Sequence, residues 1–365
     1  MTGQSDTFGT LFLPGPTEVR REVLEAMLKP MIAHRSIKFE ELFARVQAGL
    51  HVVFQTSRPV FIAAASATGM MEAGIRCLEP GRVLSLVNGA FSERFATIAE
   101  KCGHVVDRYE VPWGEIHQAS ELDDYLTKCQ YSGVTVVHSE TSTGALNPVT
   151  QISDVAHAYG VRCLVDSVSG LGGAEVRTDS SRFDYILTGS QKAIAIPPGL
   201  AFGVASKSFL EAADKAPNRG VYFDLVEMHR YATEGQVPST PALSLFYALD
   251  KQLEAILAEG IESRWKRHTA MSQTIDTWLV ECQADGIDIA NIVERSQRSP
   301  TVSTLQLPSN VNPEVFLGKV RSRGITVASG YGKLKSRTFR IGHMGDHSPS
   351  TLERCLDACR WALKN

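Results

Sequence analysis

The sequence predicts an α/β protein whose main sheet is largely parallel and is covered by helices on both faces. Between about residues 60 and 205, short runs rich in Val, Ile and Leu alternate with amphipathic stretches. PVFIAAA precedes GMMEAGIRCL, RVLSLVN precedes SERFATIAEKCG, and VTVVHS precedes QISDVAHAYG. Apolar strands separated by helices are typical of a parallel sheet buried on both faces. The chain has 365 residues and is 43% hydrophobic, which suffices for a large domain and a smaller one.

The elements at the two ends of the chain follow other patterns. From about residue 245 a helical period dominates, first in ALSLFYALDKQLEAILAEG and then in IESRWKRHTAMSQTIDTWLVECQ. Strands TVSTLQL, ITVAS and TFRIGHM and two further helices then indicate a small α+β unit. We expect no regular structure around Pro14, Gly15 and Pro16. The predicted division is an N-terminal arm over 1–18, a large α/β domain over 19–250, and a connecting helix with a small α+β domain over 251–365.

Composition argues against several classes of partner. The net charge is −3 and no polybasic run occurs, so we expect neither nucleic acid nor a membrane as partner. The apolar runs are too short for a bilayer span, and the N-terminal residues do not resemble an export signal. The seven scattered cysteines suit a reducing cytoplasm. Cys355 and Cys359 share a helix face without a second ligand pair, so we expect buried thiols and no metal site.

Two charged residues follow predicted buried strands, where open α/β sheets bind their ligands. Asp166 ends the apolar strand of LVDSVSGLGG, and Lys192 follows FDYILTGS and precedes the apolar segment AIAIPPG. A turn aspartate and a surface lysine are the ordinary interpretations of such residues. However, burying an unpaired charge is costly. A lysine in apolar surroundings has a lowered pKa, which makes its amine a nucleophile suited to Schiff-base chemistry.

A Schiff-base lysine with an aspartate able to pair with a pyridinium nitrogen is what pyridoxal phosphate (PLP) requires. Three further features are consistent with this cofactor. Ser66, Ala67 and Thr68 begin a predicted helix whose N–H groups and dipole favour a phosphate, although helix capping alone explains such residues. Phe91 follows a strand in VNGAFSERF and is a candidate to stack on the ring, with core packing as the alternative. Thr141, in the polar run HSETST, is a candidate partner of the 3-hydroxyl.

The segments GPTEV, HSETSTGALNPV, VDSVSGLGG, TGSQKAIAIPPGLAF and TFRIGHMG occur in this order along the chain. Together they resemble the class V PLP-dependent aminotransferases, and most closely the alanine–glyoxylate and serine–glyoxylate (serine–pyruvate) branch. The resemblance extends from about residue 11 to the end. It implies the PLP-dependent transferase fold of type I, with a seven-stranded sheet, and a homodimer with shared active sites.

The resemblance also implies roles for residues around the cofactor. Lys192 is implied to be the Schiff-base lysine and then the base that moves the proton from Cα. Asp166 is implied to pair with the ring nitrogen, and Phe91 and Val168 to contact opposite faces of the ring. Thr141 matches the residue near the 3-oxygen. The implied phosphate contacts are Ser66, Ala67, Thr68 and Gln191, together with Ser239 or Thr240 of the second subunit.

The substrate contacts come from other segments. Arg340, in TFRIGHMG, matches the arginine that holds the substrate α-carboxylate, a role that suits its planar fork. Without the family, a solvated strand arginine is the default interpretation. His34 and Arg35 match a segment near the active site of the dimer, where a capping or interface role is the alternative. Tyr331, in a Gly-rich loop before Arg340, is a candidate for the substrate pocket.

The expected function is therefore a homodimeric aminotransferase with ping-pong chemistry, moving an amino group from alanine or serine to glyoxylate or pyruvate. The alternatives on the same fold are a 2-aminoethylphosphonate or ureidoglycine transaminase, and a PLP lyase or cysteine desulfurase. A non-enzymatic protein of this fold is disfavoured by the presence of Lys192, Asp166 and Arg340. A nucleotide-binding oxidoreductase is disfavoured because no GxGxxG turn follows a first strand.

Overall fold

A computed structural model describes residues 8–365 of the chain. Residues 1–7 of the predicted arm lie outside this range. The helices are α1 (Arg21–Ala26), α2 (Ile37–Phe54), α3 (Ala67–Arg76), α4 (Ala90–Lys101), α5 (Asp123–Leu126), α6 (Val149–Ala158), α7 (Lys207–Ala213), α8 (Leu225–Thr233), α9 (Leu243–Glu259), α10 (Ile261–Ala284), α11 (Pro313–Ser322) and α12 (Pro349–Lys364). Short 3₁₀ helices span Ala119–Leu122, Arg295–Gln297 and Gly332–Leu334.

Fourteen strands lie between these helices in the described range. They are β1 (Leu11–Phe12), β2 (Phe61–Ala63), β3 (Arg82–Val87), β4 (Val105–Glu110), β5 (Gly133–Val137), β6 (Ser139–Glu140), β7 (Ala145–Leu146), β8 (Arg162–Asp166), β9 (Tyr185–Gly189), β10 (Ala201–Ala205), β11 (Ala290–Asn291), β12 (Val302–Gln306), β13 (Thr326–Ser329) and β14 (Thr338–Gly342).

Seven of the strands form the large sheet, in the order β2-β10-β9-β8-β5-β3-β4. Adjacent strands of this sheet run parallel to one another, except that β10 is antiparallel to both of its neighbours, β2 and β9. The predicted mainly parallel, seven-stranded sheet is therefore confirmed. Because their carboxyl ends lie at one edge, strands β3, β5, β8 and β9 bring the residues that follow them together.

Helices cover both faces of this sheet. Successive residues of a strand point to opposite faces, so neighbouring residues of one strand pack into different cores. Val165 and Ile186 pack into a core with α2, α6 and α9. Leu164 and Tyr185, each one position earlier, pack into a second core with α3, α4, α7 and α8. Both faces of the central strands are thus dry, which explains why their sequences are apolar throughout.

A second, five-stranded sheet has the order β1-β13-β14-β12-β11 and packs with α10, α11 and α12 around a third core. Cys355 and Cys359 are fully buried in this core. Helix α10 starts after Gly260, whose φ is +79°, and runs from the first core into the third. The small α+β unit is as expected, while the domain limits at residues 18 and 250 remain predictions.

The N-terminal arm needs one correction. Leu11 and Phe12 form strand β1, which pairs in parallel with Thr326 and Val327, although we expected no regular structure there. The two residues precede Pro14, so its missing N–H does not interrupt the pairing. Phe12 is fully buried and its ring stacks on His347 with centroids 4.1 Å apart. Burial of Phe12 thus fixes the segment to the small sheet.

None of the helices in the described range combines the length and apolarity that a membrane-spanning helix needs.

We expect Phe12→Ala to lower the free energy of unfolding by about 3–5 kcal/mol, because it leaves a cavity in the third core. Denaturant-induced unfolding followed by tryptophan fluorescence measures this change. Val280→Ala is the matched control, since Val280 is 65% exposed on α10, and its effect should stay within about 0.5 kcal/mol. Equal effects of the two substitutions would show that β1 is not anchored by Phe12.

Candidate active site

A cavity of about 320 Å³ opens at the carboxyl edge of the large sheet. The residues around it come from strand ends, from the first turns of α3 and α4, and from the N-terminal segment. Nine residues predicted from the sequence line it together: Ser66, Ala67, Thr68, Phe91, Thr141, Asp166, Val168, Gln191 and Lys192. Loops far apart in sequence thus converge on the place where Asp166 and Lys192 were expected to meet.

Lys192 lies three residues after the end of β9 and is only 8% exposed. Its Nζ donates a hydrogen bond to the carbonyl oxygen of Pro14. Burial lowers the pKa of the amine from 10.5 to about 8, and the charge of Arg340 lowers it as well, while Asp166 opposes both. A substantial fraction of the amine is therefore neutral near physiological pH, as nucleophilic chemistry requires.

Gly15 lies directly against the Lys192 side chain. Its φ is +116°, and a Cβ at this position would overlap the terminal carbons and Nζ of Lys192. Only glycine allows both the backbone angle and this close approach. Gly15 was expected to belong to an irregular arm and was not among the predicted site residues. A glycine between two prolines was the available signal, but nothing local indicated that it faces a lysine.

Asp166, the last residue of β8, is 2% exposed. Its Oδ1 accepts a hydrogen bond of 2.8 Å from the backbone N–H of Val168. Burial raises the pKa of the carboxyl from 3.8 to about 7, and the charge of Glu140 adds to the increase. Within residues 8–365, Asp166 has no ion-pair partner within 4.0 Å. A cation placed beside it would favour its ionised form.

Glu140 supports the wall of the cavity and was not among the site residues predicted from the sequence, although it lies in the polar run HSETST. It is fully buried and accepts hydrogen bonds from Ser92 N at 3.0 Å and Ser142 Oγ at 2.6 Å. A Cβ on Gly89 would overlap its side chain. Glu140 thus fixes the first turn of α4 and with it Phe91. An acidic residue directly after a buried strand was the signal available, since such a charge must be satisfied.

The start of α3 offers backbone donors to the cavity. Ser66 is the N-cap residue and its side chain makes no capping hydrogen bond, so the first N–H groups of the helix keep free donors. Ala67 and Thr68 follow in the first turn, and the side-chain amide oxygen of Gln191 lies close by, near Gly189. Such a helix start attracts an anion through its N–H groups and its dipole.

Arg340 and Tyr331 adjoin the cavity without lining it in this chain. Arg340 donates from Nη1 to Thr141 O at 3.1 Å and from Nε to Ser329 O at 3.0 Å. Burial lowers the pKa of this guanidinium to about 10, so it stays charged at neutral pH. Tyr331 bridges Arg340 and Phe91, with its ring centroid 5.3 Å from the guanidinium and 5.5 Å from the Phe91 ring.

The structure does not bring four predicted residues into this cavity. Ser239 and Thr240 are exposed and line a separate depression. Arg35 donates to Gln236 Oε1 at 2.9 Å and to Val237 O at 3.0 Å, so it holds the segment that carries Ser239 and Thr240. His34 is half-buried and also lies outside the cavity. Their predicted roles involve a second subunit and remain predictions.

These groups fit PLP on their own geometry. One cavity is surrounded by the buried amine of Lys192, the buried carboxylate of Asp166 and the start of α3. Within residues 8–365 the carboxylate has no cationic partner, and the helix start has no side-chain cap. These three groups match the carbonyl, the ring nitrogen and the phosphate of the cofactor, respectively. Thr141, whose hydroxyl lies 2.5 Å from that of Ser169, offers a further donor beside Asp166.

We expect the Lys192 amine to react with a small aldehyde in a pH-dependent way, because only the neutral amine is a nucleophile. In the apoprotein, reductive alkylation of Lys192 should be half-maximal near pH 8, where its pKa lies, and should fall at lower pH. Peptide mass spectrometry measures the rate at this residue. Arg340→Met should move the midpoint upward, because the charge of Arg340 lowers the pKa of Lys192. A midpoint at about pH 10.4, as for an ordinary lysine, would contradict the prediction.

Comparison with known proteins identifies the family of this chain. The family model of aminotransferase class-V matches residues 62–336. An uncharacterized aminotransferase of Methanocaldococcus jannaschii is 38% identical over 360 residues, which cover 97% of this chain and 92% of that protein. The L-aspartate–glyoxylate aminotransferase of Paracoccus denitrificans is 30% identical over 348 residues, which cover 92% and 86% of the two chains.

The same fold occurs in solved structures. The crystal structure of an alanine–glyoxylate aminotransferase from Nostoc sp. superposes with a TM-score of 0.90 at 28% identity, covering 97% of this chain and 95% of that one. The family match, the relatives and the cavity lead to the same result. The chain belongs to the class V aminotransferases of fold type I, and its cofactor is pyridoxal phosphate.

Proposed function

We propose that this aminotransferase moves the amino group of a small amino acid, alanine or serine, to glyoxylate or pyruvate in two half-reactions. The observation that carries the proposal is the buried Lys192 amine beside Asp166, with the charged Arg340 at the edge of the same cavity. A cavity of about 320 Å³ that must also hold the cofactor leaves room for small substrates.

Glyoxylate is the acceptor best supported by the comparisons. It is named both for the L-aspartate–glyoxylate enzyme of Paracoccus denitrificans and for the alanine–glyoxylate enzyme of Nostoc sp.. The donors named for these two proteins differ, so they do not select a donor for this chain. Ureidoglycine and 2-aminoethylphosphonate therefore stay as alternative donors.

A cysteine desulfurase is poorly supported by the distribution of thiols. Such an enzyme needs a reactive cysteine that reaches the substrate. Five of the seven cysteines are buried, Cys102 is partly buried and Cys129 is exposed, and none of them lines the cavity. Burial also raises the pKa of Cys77 to about 12, which keeps this thiol protonated and unreactive.

The chain contributes binding and proton transfer to the reaction. When bound, PLP accepts the electron pair left on the donor Cα after its proton is removed. Arg340 binds the α-carboxylate, since its two hydrogen bonds go to backbone carbonyls and leave its charge without a carboxylate partner in residues 8–365. Lys192, as a neutral amine, would act as the base that takes the Cα proton and then holds it for return. Asp166 is the residue that would pair with the ring nitrogen and, when ionised, would keep that nitrogen protonated.

We further infer a homodimer in which Ser239 or Thr240 of one subunit contacts the cofactor phosphate of the other. Both residues are exposed and do not line the cavity of their own chain, while Arg35 holds their segment in place. Exposed apolar side chains lie in neighbouring parts of the chain: Leu28 is 83% exposed and Val221 is 92% exposed. Covering such side chains favours association with a second copy.

We also propose that the enzyme acts in the cytoplasm. All seven cysteines are free thiols, which suits a reducing compartment.

Absorbance spectroscopy tests the proposed reaction directly. Alanine or serine added to the PLP-loaded enzyme should convert the visible cofactor band into that of pyridoxamine phosphate, and glyoxylate should restore it. Aspartate, ureidoglycine and 2-aminoethylphosphonate, tested one at a time, compare the alternative donors. If only 2-aminoethylphosphonate or ureidoglycine converted the band, the proposed donor class would be wrong.

Lys192→Ala is the control for the same experiment. It should slow the half-reaction at least about hundredfold, because the general base is lost, while PLP still binds without a covalent link. Unchanged turnover in this variant would exclude Lys192 from the proton transfer.

Mixing two inactive variants tests the shared site. Lys192→Ala lacks the amine, and the double variant Ser239→Ala, Thr240→Ala lacks the contacts given to the partner. In a hybrid dimer one site carries both defects and the other carries none. After random exchange of subunits at limiting PLP, about a quarter of the wild-type activity should return, because half of the dimers are hybrids with one intact site. No recovery despite demonstrated exchange would place all phosphate contacts within one chain.

A further inference from the structure

Arg94 is a charged residue of the cavity wall to which the mechanism above assigns no role. It lies in the second turn of α4 and lines the cavity, and its guanidinium carbon is 4.9 Å from the centroid of the Phe91 ring. Helical side chains lean toward the N-terminus of their helix. The N-terminus of α4 lies just after β3, at the carboxyl edge of the sheet. The positive charge of Arg94 is therefore directed toward the site.

The protein provides no counter-charge for this guanidinium. Within residues 8–365, Arg94 has no ion pair and no hydrogen bond; the contact with Phe91 is its one close interaction of a polar or aromatic kind. The two carboxylates of α4, Glu93 and Glu100, pair instead with Arg108, at 3.2 and 2.7 Å. Glu140 accepts hydrogen bonds from Ser92, in the first turn of α4, and from Ser142, in the turn between β6 and β7. A cation without a partner in a half-buried cavity wall is costly unless a ligand supplies the negative charge.

The charge of Arg94 acts on both reacting groups. It lowers the pKa of the Lys192 amine and of the Asp166 carboxyl. Arg94 lines the same cavity as Lys192 and Asp166, so its guanidinium lies near the groups that the cofactor and the donor contact.

Two anionic groups, the phosphate of PLP and the second carboxylate of a dicarboxylic donor, have no cationic partner among the residues assigned above. The donor's α-carboxylate is assigned to Arg340. The phosphate contacts offered by this chain, Ser66, Thr68 and Gln191, are all uncharged. A donor with a second carboxylate, such as aspartate, would also lack a cation for that group.

We propose that Arg94 binds an anionic oxygen group other than the donor's α-carboxylate: the phosphate of PLP or the side-chain carboxylate of a dicarboxylic donor. The inference rests on the proposed aminotransferase reaction and deepens it by assigning a second anion site. Arginine suits either anion, because its planar fork donates two parallel hydrogen bonds to carboxylate or phosphate oxygens.

The experiment compares Arg94→Met and Arg94→Lys with Lys101→Met. Lys101 is an exposed cation on the same helix, outside the cavity, so its variant controls for the loss of one positive charge from α4. Arg94→Lys keeps the charge and loses the fork, and it also serves if the methionine variant fails to fold. Each protein is titrated as apoenzyme with PLP and with pyridoxal, which lacks the phosphate, and is then assayed with aspartate and with alanine at saturating PLP.

Loss of a charge-assisted hydrogen bond predicts the size of the effect. If Arg94 binds the phosphate, Arg94→Met should weaken PLP binding about ten- to hundredfold and leave pyridoxal binding unchanged. If it binds the second carboxylate, PLP binding should stay the same. In that case kcat/KM for aspartate should fall about ten- to hundredfold relative to alanine. Arg94→Lys should show an intermediate loss and Lys101→Met none.

The proposal is overturned if Arg94→Met and Lys101→Met agree in both comparisons. These are the ratio of the dissociation constants of PLP and pyridoxal, and the ratio of kcat/KM for aspartate and alanine. Failure of the proposed reaction would look different. In that case no amino acid would change the cofactor band of the wild-type enzyme, while the comparison of PLP with pyridoxal would still report on Arg94.

Discussion

The burial of one amine at the carboxyl edge of the sheet is the constraint on which the rest of the site depends. Lys192 is held there by a dry segment, since Ala193 through Ile196 are fully buried. The cost of burying its charge is reduced because the pKa falls toward neutrality and because the Pro14 carbonyl accepts a hydrogen bond. Gly15 then leaves the space that the side chain occupies. Each of these features accommodates the buried side chain of Lys192.

The charges of the site come from different layers of the fold. The parallel strands supply Asp166 and Lys192, because their ends meet at one edge. The helices that follow other strands present donors and the Phe91 ring at their first turns. The small sheet supplies Arg340, which donates to Thr141 O in the turn between β6 and β7. The position of Arg340 therefore depends on how the small sheet packs, whereas Asp166 and Lys192 follow strands of the large sheet.

The sequence predicted the features that follow from local pattern. Strand ends were recognisable by apolar runs, so Asp166, Lys192 and Thr141 could be placed from the order of residues alone. Gly15 and Glu140 were not selected, because they contact residues far away in the chain. Arg94 was not selected, because nothing in the local pattern shows that it lines the cavity. Strand β1 was missed because a two-residue pairing leaves no periodicity. Ser239 and Thr240 do not line the cavity of their own chain, because their predicted contacts are with a second subunit.

The N-terminal segment ties the two sheets together at the lysine. Phe12 is the last residue of β1 in the small sheet, Pro14 touches Nζ of Lys192, and the N–H of Thr17 donates to Gln191 O at 2.9 Å. A rigid-body rotation of the small sheet would pull directly on the residues that flank the reactive amine. The segment therefore couples any movement of Arg340, in the small sheet, to the freedom of the Lys192 side chain.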